Sequence, residues 1–137
     1  MYGVPDSPAV DNRKLTLAIA RTRLAIGVGL MATPALASWI WAGPGQTNSS
    51  VRLFARTTGI REIALGLGTE ISMKSEQRPS DWLSMSALCD LADGTFGIIG
   101  RGPWTRKAIS LTAFGVAAVQ FSIAQQLAKE LGDDPRA

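Results

Sequence analysis

Five ionisable residues sit inside stretches that are otherwise apolar or small: Arg61, Glu62 and Glu70 in one, Asp90 and Asp93 in the next. At helical spacing Gly59, Glu62, Gly66 and Glu70 fall in one stripe. Ser86, Asp90, Gly94 and Gly97 fall in another, with Asp93 on the same side. Two acid-bearing faces made otherwise of small residues can meet inside a bundle. Carboxylates so placed suit acid–base chemistry, proton carriage or the binding of a cation or a polar head group. They equally suit an ion-pair network between helices, chiefly Arg61 with Asp90 or Asp93. The four acids face one cation within these spans, so full ionisation leaves three charges uncompensated. Arg56, Arg52 or Arg101 reaching in from the ends would reduce that surplus. Otherwise a carboxyl stays protonated.

Other chemistry is poorly supported. With no His, the chain lacks the usual imidazole base and the commonest transition-metal ligand. A single Cys excludes an internal disulfide framework, and Cys89 lacks a His to activate it. The acid pair at 90–93 supplies too few oxygens for calcium without an EF-hand pattern. The GVG and GLG triplets at 27–29 and 66–68 lack a dinucleotide-binding context and read as helix-packing positions. Gln120, Gln125 and Gln126 read as interhelical hydrogen bonders or markers of an interface. No metal and no cofactor is expected.

The elements that position these groups are helices. Residues 24–42 and 108–128 are free of charge over nineteen and twenty-one positions. About 20 helical residues cross a bilayer core about 30 Å thick. Residues 57–73 and 82–100 are of similar length but polar, and neither alternates as a strand would. Polar linkers with Gly or Pro separate the four segments at 43–50, 74–81 and 101–107. Trp39, Trp41, Trp82 and Trp104 fall at segment ends, as in an interfacial aromatic belt. A soluble bundle with two buried helices is the competing reading, and mean hydropathy barely above zero is compatible with it. The fold class is read as all-α, a four-transmembrane-helix bundle with polar second and third helices. Its expected limits are a flexible segment at 1–12, a membrane domain at 13–128 and a polar tail at 129–137. The opening residues lack a signal-peptide pattern, so the first apolar run is expected to be retained.

A chain of 137 residues with a net charge of +3 fits one domain. Its scattered basic residues argue against nucleic acid as a partner. Eight Lys and Arg fall on the amino-terminal side of the four segments, with Arg13, Lys14, Arg21 and Arg23 taken as the leading flank, against five on the other. Both termini are accordingly expected in the cytoplasm.

Residues 52–68, with Arg56, Gly59, Arg61, Glu62 and Gly66 in an R-x-x-G-x-R-[DE]-x-x-x-G pattern, are followed by an acid pair at Asp90 and Asp93. Together they resemble a family of small, actinobacterial-type four-helix membrane proteins without an assigned function. The family's second motif is A-D-x-x-D, and this chain has Cys89 where Ala is usual. The resemblance implies a four-helix fold in a bacterial inner membrane and no particular chemistry. The expected polar-core or binding residues are Arg56, Arg61, Glu62, Glu70, Asp90 and Asp93. Of these, Glu62, Asp90 and Asp93 are the catalytic candidates. The expected partners are the lipid bilayer, a lipid ligand, and a second membrane protein or copy. Function is expected to be that of an accessory subunit or a lipid or small-ligand binding module. The alternatives are an embedded enzyme acting on a lipid or isoprenoid, and a small proton-coupled transporter.

Overall fold

A computed structural model describes residues 11–46, 48–75 and 77–130. They form five helices: α1 (Asn12–Ala32), α2 (Pro34–Ala42), α3 (Ser49–Ser75), α4 (Pro79–Ile99) and α5 (Trp104–Glu130). Most of the expected flexible segment and polar tail lie outside the described residues. Asp11, Asn12, Lys129 and Glu130 do not, and they belong to the bundle. Asp11 caps α1 by accepting from the Lys14 backbone N–H at 3.2 Å, and the Lys14 ammonium lowers its carboxyl pKa. Asn12 donates to Gln126 at 2.9 Å and to Glu130 at 3.2 Å, joining the ends of α1 and α5.

The first expected segment is corrected twice. The uncharged run at 24–42 is not one helix, because Pro34 has no N–H and disfavours helical backbone at the residue before it. Thr33 leaves the helix at φ −126°, ψ 57°, and Pro34 opens the short α2. The first long helix begins twelve residues earlier than the run, at Asn12. Arg23 thus lies mid-helix and not in a flank. The other segments also run longer than expected. Asn48 caps α3 through Val51 N–H at 3.0 Å, and Pro79 sits in the first turn of α4. Gly43, at φ +96°, closes α2 in a conformation open to glycine.

The four long helices run alternately up and down, and they associate as two close pairs, α1 with α3 and α4 with α5. Glycine permits both contacts. A Cβ on Gly27 would stand 2.7 Å from the Gly59 carbonyl oxygen, and one on Gly66 would stand 2.7 Å from that of Ala20. Gly94 brings α4 close to α5 with slightly more room, a Cβ there meeting the Ser110 carbonyl oxygen at 3.0 Å. Along the bundle axis the interior has three layers. Met73, Leu83, Ile123, Ala124 and Leu127 form an apolar plug near the α1 amino terminus. Charged groups fill the middle, and a cavity lies beneath α2.

The distribution of polarity is inverted. Buried side chains include Thr16, Arg23, Ser38, Glu62, Thr69, Ser86, Ser110 and Gln120, whereas half of the buried apolar residues are alanines. Twenty-three large hydrophobic side chains are exposed among the described residues, including Phe96, Ile99 and Trp104 at 73–75%. Soluble monomers rarely expose apolar surface on that scale. Of the four membrane helices expected, two, α1 and α5, are long and apolar enough to cross a membrane by length and composition. Only 22% and 28% of their most apolar stretches is buried, unlike the core helix of a soluble protein.

Candidate functional site

The middle layer is built by four helices. Arg23 of α1 is 5% exposed, and its guanidinium forms ion pairs with Glu62 of α3 and Asp90 of α4. The same group donates to the Ser86 carbonyl and to Gln120 Oε1 of α5, each at 3.3 Å. Gln120 is fully buried and donates through Nε2 to Asp90 Oδ2 at 2.6 Å. One fork-shaped cation thereby touches the other three long helices, which a lysine ammonium would do less well. Arg61 completes the cluster from α3. It donates to Glu62 Oε1 at 2.9 Å and to Asp93 Oδ1 at 3.0 Å, with a second bond to Asp93 Oδ2.

One expectation about charge is revised by this geometry and another is narrowed. Arg61 is not the sole interior cation, because Arg23 shares the work and is the more deeply buried of the two. Asp93 is the acid that pairs with Arg61, whereas Asp90 pairs with Arg23. Arg56 lies apart, exposed beside Arg52 in a shallow hollow at the start of α3. Glu70 also lies outside the cluster and pairs with Lys74 one turn along at 3.0 Å. Of the six expected residues, the structure brings together Arg61, Glu62, Asp90 and Asp93. It adds Arg23 and Gln120.

The missed residue left a signal in the sequence. Arg23 stands four residues before Gly27, on the face that Gly27 turns toward Gly59, so spacing along α1 marks it as inward. Reading the helix as starting at Leu24 concealed that relation.

Above the charges is a cavity of about 440 Å³. Its walls are apolar and include Leu30, Leu36, Trp41, Phe54 and Ile109, while Arg61, Glu62, Asp90 and Asp93 form its charged floor. Helix α2 contributes one wall and is tied to α5 by Thr105 Oγ1, which donates to the Ile40 carbonyl at 2.9 Å. The volume falls within the range of small-molecule sites, about 300–1,000 Å³. Among the described residues, no group of three or more acids or thiols is placed to hold a metal ion.

The chain matches no family model, no curated protein and no solved structure. The reading of this site therefore rests on its own geometry.

Proposed function

We propose that the protein is a multi-pass membrane protein whose bundle binds a small amphipathic ligand. The observation that carries this reading is the cavity itself, apolar along its walls and charged only at its floor. A molecule with an apolar body and a polar end matches both parts. The resemblance of the Arg56–Gly66 motif to four-helix membrane proteins supports the membrane part of this reading and says nothing of the ligand. In this proposal α1, α3, α4 and α5 cross the bilayer, and α2 lies at one end. The charges of α3 and α4 face one another, which is how membrane helices with poor hydropathy are accommodated. The exposed apolar side chains outside the cavity face lipid. With Arg21 and Arg23 both inside α1 and removed from the flank, six basic residues stand against five, which still favours cytoplasmic termini.

Two expected results bear on location. After alkaline carbonate washing the protein stays with the membrane pellet, and quantitative release would refute the embedding. Reporters placed after Glu130 and within the turn at 43–46 report opposite sides of the membrane. Identical locations would mean that α3, α4 and α5 do not make three crossings.

Ligand binding is tested by native mass spectrometry of the detergent-extracted chain. One amphiphile bound per protein is expected. Ala113→Phe, which fills the cavity from its α5 wall, should remove that mass while the fold persists. A ligand-free chain holding a stoichiometric protein partner would instead favour an accessory subunit.

A further inference from the structure

The bonding pattern of the cavity floor narrows the class of ligand, given the binding reading above. Arg61 uses both terminal nitrogens on Glu62 and Asp93, and Asp93 has both oxygens engaged by Arg61. Glu62 is held on one oxygen by Arg23 and on the other by Arg61. Asp90 differs. Its Oδ2 accepts from Arg23 and Gln120, whereas its Oδ1 accepts no hydrogen bond from any described residue, and Asp90 lines the cavity. The two guanidiniums and three carboxylates carry one net negative charge when all are ionised. The floor therefore presents an acceptor in need of a donor and a charge in need of a cation.

We propose that the cavity takes a cationic amphiphile, an alkyl chain ending in a protonated amine, with the ammonium seated on Asp90 Oδ1 and the chain lying along Leu30, Leu36, Trp41, Phe54 and Ile109. An ammonium supplies the donors that Asp90 lacks and balances the surplus charge. An anionic head group would meet the acids of the floor. A neutral alcohol would supply the hydrogen bond without the charge. The apolar walls offer the head group no other polar partner, which strengthens the preference for opposite charge.

The test compares decylamine, decanol and decanoate binding to the intact, detergent-solubilised protein by isothermal titration at neutral pH, with protein-free micelles as the blank. Decylamine is expected to bind once per chain, and the other two at least about tenfold more weakly. Asp90→Asn should remove that preference. It neutralises the floor while keeping a side-chain oxygen for Arg23, so the fold has a physical reason to survive. The comparison of head groups in the unaltered protein stands even if the variant does not fold. Decanol binding as tightly as decylamine, or decanoate binding more tightly, would overturn the amine proposal and leave the binding cavity intact. Absence of binding by all three would overturn both. A preference for decylamine that survives in folded Asp90→Asn would overturn the assignment of Asp90.

Discussion

Replacing Arg23 by Leu is expected to cost about 3–5 kcal/mol of stability, the loss seen when one partner of a buried ion pair is removed. No other single substitution in the middle layer should cost more. Among the described residues Arg23 is the only cation touching both Glu62 and Asp90, and it also holds Gln120 and the Ser86 carbonyl. Its removal leaves Glu62 and Asp90 short of a partner and cuts the side-chain link from the middle of α1 to α4 and α5. Arg23→Lys should fall between, because an ammonium keeps the charge and loses the fork. Arg61→Leu should cost less, since the Arg61 and Asp93 side chains are 32% and 34% exposed.

Unfolding in mixed micelles with rising denaturing detergent measures these differences, and a double-mutant cycle apportions them. Arg23→Leu combined with Asp90→Asn should recover part of the loss, with a coupling energy above about 0.5 kcal/mol. Arg61 with Asp93 should also couple, whereas Arg61 with Asp90 should couple less, because they are linked only through Glu62 and Arg23. Additive losses for Arg23 and Asp90 would disprove the pairing. If Arg23→Leu proved no more harmful than Arg61→Leu, the central place given to Arg23 would be wrong.

The second large effect is expected at Gly27. A leucine there must place its Cβ within 2.7 Å of the Gly59 carbonyl oxygen and 2.9 Å of the Ile63 backbone nitrogen, and backbone cannot yield as a side-chain tip does. Overpacking of this kind typically costs about 1–3 kcal/mol. Here the loss should reach or exceed the upper end, because separating α1 from α3 also lengthens the Arg23–Glu62 contact. Gly59→Leu should behave alike, since its Cβ would stand 2.8 Å from the Gly27 carbonyl oxygen. Gly115→Ala is the internal control. A Cβ there meets nothing within 4 Å, and alanine favours a helix over glycine by up to about 1 kcal/mol. The same unfolding curves should therefore show destabilisation at Gly27 and Gly59 and a neutral or stabilising change at Gly115. Equal effects at all three would mean that α1 and α3 are not in backbone contact.

Much of the architecture is written in local pattern. The long runs without strand alternation imply helices, and the breakers at 43–45, 78–79 and 100–103 separate them where α2, α3, α4 and α5 begin or end. The small-residue stripes on α3 and α4 carry Glu62 and Asp90 inward because helical spacing puts them on the faces of Gly59, Gly66, Gly94 and Gly97. Pro34 was equally legible as a breaker, yet a stretch without charge masked it. Composition had marked the whole run as continuous, whereas backbone chemistry divides it.

Which charges meet is a different matter. Helical spacing assigns each residue a face and a height on its own helix, and these are local properties of one element. Pairing depends on how α1 is rotated and slid against α3, and the α1–α3 pair against α4–α5, through contacts between residues far apart in the chain. Arg23 reaches Glu62 across 39 positions and Asp90 across 67, so no local signal selects them as partners. By itself the sequence determined that the chain is helical, that its apolar stretches are interrupted by acids, and that those acids share faces with small residues. The tertiary structure alone decided that Arg23 holds Asp90 while Arg61 holds Asp93, that Arg56 and Glu70 stand aside, and that an apolar cavity closes on the remaining free carboxylate oxygen. The reason is physical: periodicity follows from the geometry of one helix, whereas ion pairs and cavities follow from the close fit of several.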